Sequence, residues 1–189
     1  MEHPKAAYRL GVAAARRLAR LGPTTIEPGL SDAELAQAER RFDISFADDH
    51  RTFLGEGLPV GERWPDWRNG NTEHLAQLLR LPTDGVLFDV VENGFWYGSW
   101  GLRPDNPDEA VLLAGEQLSG VPRLIPVYGH RYLPQGRGGF GYPVLSIEQT
   151  DIVVYGADLD DYLRREFEGL KEPLTEHRPP PVFWADLAS

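Results

Sequence analysis

The stretches Arg123-Leu124-Ile125-Pro126-Val127-Tyr128, His130-Arg131-Tyr132-Leu133, Tyr142-Pro143-Val144-Leu145-Ser146-Ile147 and Asp151-Ile152-Val153-Val154-Tyr155 follow one another between positions 123 and 155. Each is short and rich in β-branched and aromatic residues, the pattern of a strand. Everything ahead of them reads mainly as helix. Helices first and strands later, with no regular βαβ alternation, predict an α+β fold rather than a doubly wound sheet. The expected architecture is a single domain with a central, largely antiparallel sheet flanked by helices and an N-terminal helical appendage.

Working back from the strands, residues 107–118 read as a helix with Pro107 near its start. Before it, Val86-Leu87-Phe88-Asp89-Val90-Val91 and Phe95-Trp96-Tyr97-Gly98-Ser99-Trp100 flank Asn93-Gly94, a tight-turn signal between β-prone runs. The first of these runs reads equally well as a short buried helix. A helix over residues 72–80 should stop before Pro82. Residues 58–61 and Trp64-Pro65-Asp66-Trp67 read as loop, after a short helix over 47–56. Ser31-Asp32-Ala33-Glu34 fits a capping box, because a serine hydroxyl and a glutamate three residues on can each satisfy a free amide of the other. Leu35, Ala38 and Phe42 form the stripe of the helix it opens. Residues 4–21 carry Tyr8, Val12, Ala15, Leu18 and Leu21 at helical spacing and end at Gly22-Pro23.

Downstream of the strands, Asp158 should cap a helix running to about Glu168, with Tyr162 and Phe167 inward. The tail, with Pro179-Pro180-Pro181, is expected to be extended and anchored by Phe183 and Trp184. The organisation is therefore a helix and linker over 1–28, the α+β body over 29–168, and a proline-rich tail over 169–189.

Composition narrows the function. The 189 residues contain no cysteine, which excludes disulfides, iron–sulfur clusters, thiolate zinc sites and cysteine nucleophiles. No apolar run approaches the roughly 18 residues of a membrane span, and the first residues lack a secretory apolar core. A cytoplasmic protein is expected. The net charge is −10, and residues 1–22 hold five bases against one acid, so the rest is more acidic still. Such a body repels nucleic acid and anionic membrane and attracts a basic protein.

Motifs for chemistry are sparse. Gly136-Arg137-Gly138-Gly139-Phe140-Gly141 matches the dinucleotide fingerprint in letters, but a strand rather than a helix follows it, so it reads as a loop. His3, His50, His74, His130 and His177 have no histidine neighbour at ligand spacing, and no metal or other cofactor is expected. No nucleophile elbow surrounds Ser99 or Ser119. Asp66, Asp89 and Glu92 lie near tryptophans, which leaves a small-ligand or hydrolase reading at that cluster open. Trp64, Trp67, Trp96 and Trp100 concentrate in fewer than forty positions. They read either as core or as a partly exposed protein-binding patch, since Trp carries much interface energy.

Taken in order, the segments become familiar. Gly29-Leu30-Ser31-Asp32-Ala33-Glu34-Leu35 with Glu39 and Phe42, His50-Arg51-Thr52-Phe53-Leu54, Trp64-Pro65-Asp66-Trp67-Arg68, Phe95-Trp96-Tyr97 with Trp100-Gly101-Leu102-Arg103-Pro104, Pro126-Val127-Tyr128-Gly129-His130-Arg131-Tyr132 and Asp151-Ile152-Val153-Val154-Tyr155-Gly156 resemble a bacterial branch of the SUKH superfamily. That group includes yeast cell-wall regulators of the Smi/Knr type and bacterial immunity proteins. The resemblance spans about residues 29–168, with departures at Ala47 and Glu56-Gly57. It implies an α+β fold and a non-enzymatic, immunity-type binder of a basic toxin, in many relatives a nuclease. Trp64, Trp67, Trp96 and Trp100 would then anchor the partner, and Asp158, Asp160 and Asp161 would complement its charge. A regulatory scaffold for a housekeeping partner is the alternative, and the oligomeric state is open.

Overall fold

The computed structural model describes residues 3–174 and 176–188. Helix α1 spans His3–Leu21, and a short strand β1, Thr25–Glu27, follows. Helices α2, Asp32–Phe42, and α3, Asp48–Glu56, come next, and β2, Leu58–Val60, pairs antiparallel with β1. This two-stranded ribbon replaces the loop expected at 58–61. The capping box is present: Ser31 Oγ accepts from the Glu34 amide, and the Glu34 carboxylate accepts from the Ser31 amide at 2.8 Å. Arg68 also reaches that carboxylate, and together these partners hold it down at a pKa of about 2.

Helix α4 runs from Thr72 to Glu92 and passes straight through Pro82. The expected stop is therefore corrected, as is the strand reading of 86–91. A proline inside a helix leaves the carbonyl four residues earlier without its amide donor. Here that carbonyl belongs to Leu78, and the fully buried Tyr132 hydroxyl donates to it at 3.0 Å. The missing backbone bond is replaced from the sheet. Tyr132→Phe should cost about 1–3 kcal/mol, the usual penalty for orphaning a buried polar group. In a Pro82→Ala background, where the amide returns, the same substitution should cost markedly less. Urea unfolding of the four forms measures this, and equal costs in both backgrounds would show that the hydroxyl does not stand in for the amide.

Residues 95–97 form no strand. They lead into a single 3₁₀ turn, Gly98–Trp100, because no neighbouring strand offers them a ladder. Helix α5 spans Pro107–Ser119 and is capped by Asn106, whose side chain accepts from the Asp108 and Glu109 amides. Strands β3, Leu124–Tyr128, β4, Arg131–Pro134, β5, Val144–Glu148, and β6, Asp151–Gly156, form an antiparallel meander in that order. The four-stranded α+β expectation is met within a residue or two at each end. Helix α6, Leu159–Leu163, is capped by Asp158 and continues as a π-helical turn over Arg164–Glu168. The tail is not extended throughout: α7, Val182–Leu187, is helical and Ala188 bridges to Ile152 of β6.

The sheet separates two cores. Ile125, Val127, Leu133 and Val144 face a core built from α1, α2, α3 and α6, with Leu18, Phe46, Phe53 and Tyr162 among its largest members. Leu124, Tyr132, Leu145 and Ile152 face a second core of α4, α5 and α7 residues, including Val86, Val90, Ala114 and Trp184. Helix α4 serves both, with Leu75 and Leu79 in the first core and Val86 and Val90 in the second. Its 21 residues reach about 30 Å. The ends also belong to the body. Arg17 of α1 clasps Asp160 at 2.7 and 2.9 Å and Glu168 at 3.1 Å.

Candidate protein-binding surface

The four tryptophans expected as anchors do not form one patch. Trp64 lies in the first core with its ring centroid 4.7 Å from Tyr128 and 6.1 Å from Phe167. Trp67 packs edge-on against Phe46 at 5.2 Å and Phe42 at 6.0 Å, also in the first core. Trp100 lies in the second core, stacked on Phe183 with rings 13° apart. These three are buried, which corrects the expectation of exposed anchors at Trp64, Trp67 and Trp100. Trp96 alone is half-buried; it packs edge-on against Trp100 and its Nε1 donates to the Gly101 carbonyl at 2.8 Å.

The acidic trio is engaged within the chain. Asp158 caps α6 by accepting from the Asp161 amide at 2.9 Å, and burial raises its pKa. Asp160 is held by Arg17. Asp161 accepts from the Ala157 amide at 2.8 Å and pairs with Arg165 at 2.7 Å. Burial pushes Asp161 upward, but Arg165 and that amide outweigh it and keep its pKa low. A basic partner at this trio would meet carboxylates already engaged within the chain.

The glycine-rich loop is likewise occupied. Its Gly138 amide donates to Asp48 at 3.1 Å, and its Gly141 amide to Asp49 at 2.9 Å. The donors that would cradle a phosphate are thus taken by carboxylates at the start of α3. Asp49 is fully buried, and burial lifts its pKa to about 6 against the pull of its amide donors. His50 next to it is buried between Phe46 and Phe53, and burial lowers its pKa to about 3.

The carboxylates near the tryptophans do not converge either. Asp66 accepts from the Arg68 and Asn69 amides within its own turn. Asp89 is buried on α4 and accepts from Thr150, which pins the helix to the β5–β6 turn. Burial pushes Asp89 upward, yet its hydrogen bonds from Thr150 and Asn93 leave its pKa below the usual value. Glu92 is exposed. Among the described residues, no group of three or more His, Asp or Glu side chains is placed to hold a metal ion. No described helix is long and apolar enough to cross a membrane.

What the structure does expose is one face of α4. Leu81, Phe88 and Val91 are 43%, 49% and 51% exposed, and their spacing of seven and three residues places them on one side of the helix. Asp84 and Glu92 share that side. The segment leaving the helix continues the surface: Leu102 is 96% exposed, and Arg103 donates to the Val90 carbonyl at 2.9 Å, tying this segment to the last turn. Aliphatic and aromatic side chains aligned this way are unusual on a surface, where single apolar residues are the norm. Leu81, Phe88 and Val91 did not stand out in the sequence as a site, because the run was divided at Pro82. The usable signal was the helical phase kept across the proline, from Leu79 to Val86 to Val90.

Compared with protein-family models, curated proteins and solved structures, the chain matches none.

Proposed function

We propose that this is a non-enzymatic, cytoplasmic protein-binding domain that neutralises a basic partner in the manner of an immunity protein. The observation that carries this reading is the exposed α4 face of Leu81, Phe88 and Val91, flanked by Asp84 and Glu92, on a chain of net charge −10. Apolar side chains supply contact area, while surrounding negative charge steers a basic protein and disfavours acidic competitors. The SUKH resemblance of the segments from Gly29 to Gly156 supports the same reading. It now rests on α4 and Trp96 rather than on the buried tryptophans and the internally paired aspartates.

Affinity capture from the host, with products of adjacent genes included, tests it with the parent chain and Phe88→Arg side by side. A basic protein should be recovered by the parent at low salt, about tenfold less at high salt, and about tenfold less by the variant. Equal recovery by both forms would remove the α4 face from the interface. A housekeeping assembly indifferent to salt would favour the scaffold alternative.

A further inference from the structure

We propose that the cavity between the end of α2, α4 and α5 binds a small organic carboxylate with an apolar body. The cavity measures about 470 Å³, within the range of small-molecule sites. Leu87, Leu118 and Trp184 contribute to its apolar lining. Arg41, Arg80 and Arg123 also line it, and no Asp or Glu among the described residues does. That is the reverse of the chain's composition, in which acids outnumber bases 29 to 19.

Among the described residues none of these three arginines is in an ion pair, although eight of the chain's other guanidiniums are. Arg17, Arg51, Arg68, Arg131 and Arg165 are all engaged by carboxylates. Arg41 instead donates to the Thr72 hydroxyl, at 3.4 Å. Arg123 donates to the Phe42 and Asp43 carbonyls, which orient its guanidinium without neutralising it. Among the described residues, Arg80 is in no ion pair. An arginine fork matches a carboxylate bidentately and remains charged at any physiological pH. A ligand with an anionic head and an apolar body therefore satisfies both halves of the cavity. The acidic body around it repels polyanions, which favours a monoanion over a nucleotide or an acidic polymer.

The site is separate from the proposed protein-binding face. Arg80 and Leu87 each precede Leu81 and Phe88 by one residue, which turns them about 100° round α4.

Isothermal titration calorimetry with octanoate and 1-naphthoate tests the proposal, with octan-1-ol and octylammonium as neutral and cationic counterparts. At least one carboxylate should bind saturably, and the alcohol and the ammonium should bind at least about tenfold more weakly. Arg80→Gln should weaken carboxylate binding about tenfold. Gly115→Phe should abolish it: a Cβ at Gly115 meets no atom within 4 Å, so the new ring can enter the cavity without displacing backbone. Urea unfolding confirms that both variants remain folded. No saturable binding of either carboxylate, equal binding of all the probes, or undiminished binding by folded Gly115→Phe would overturn the assignment.

Discussion

Trp184→Ala is expected to lower stability by about 3–5 kcal/mol, the largest loss from any single side chain in the second core. Trp184 has no exposed surface, packs against Phe183 at 5.0 Å, and donates from Nε1 to the Pro122 carbonyl at 2.7 Å. Its removal leaves a cavity beneath the sheet and an unsatisfied carbonyl at the entrance to β3. For a chain of this length each kcal/mol moves the thermal midpoint by about 2–4 °C, so a drop of roughly 10 °C is expected. Trp184→Phe keeps most of the apolar area but loses the hydrogen bond, and should fall between the parent and alanine. A thermal melt of the three forms decides the matter. An unchanged midpoint for the alanine variant would mean that α7 contributes nothing to the fold.

Gly156→Ala should be nearly as damaging, although it adds only one methyl group. A Cβ at that position would lie 2.6 Å from Tyr162 Cα and Cβ and 2.7 Å from the Tyr162 amide nitrogen. Those atoms belong mostly to the backbone of α6 and cannot rotate away. The helix would have to lift off the end of β6, straining the Asp158 cap and the Arg17–Asp160 clasp together. We expect a loss of about 3 kcal/mol, at the upper end for overpacking. Gly115→Ala is the matched control. It adds the same methyl into open space in mid-helix and should raise stability by about 0.5–1 kcal/mol. Denaturant midpoints of the pair would separate them by more than either differs from the parent. Similar midpoints would mean that α6 yields freely.

Much of the fold was legible where the determining physics is local. The Ser31 and Asp158 caps, the glycine ends and the four strands of the meander all depend on residues a few positions apart. The sequence reading failed where a distant group decides. Pro82 is a helix stop by every local rule, and the hydroxyl that takes up the freed carbonyl comes from Tyr132, fifty positions on. Phe95-Trp96-Tyr97 has strand propensity but no pairing partner, so its rings pack on Trp100 and Phe183 instead. The candidate site suffered most. An aspartate reads the same whether it faces solvent, as a partner would need, or faces Arg17 across 143 positions, as Asp160 does. Trp64 and Trp67 carry no mark that tells a core ring from an anchor.

The clasp between α1 and α6 has a kinetic meaning as well. The meander closes between immediate neighbours, with Glu148 opposite Asp151 across one tight turn. Bringing Arg17 to Asp160 closes a loop of 143 positions, which costs about 3 kcal/mol more in chain entropy than that turn. Contacts of short sequence separation are therefore expected to nucleate folding, and the clasp to form after the rate-limiting barrier, which a φ-value near zero for Arg17→Ala would show. Interactions absent from the transition state act on the way out rather than on the way in. The arginine-rich first helix is thus a latch on the lifetime of the native state: it sets how seldom the chain opens, not how quickly it folds.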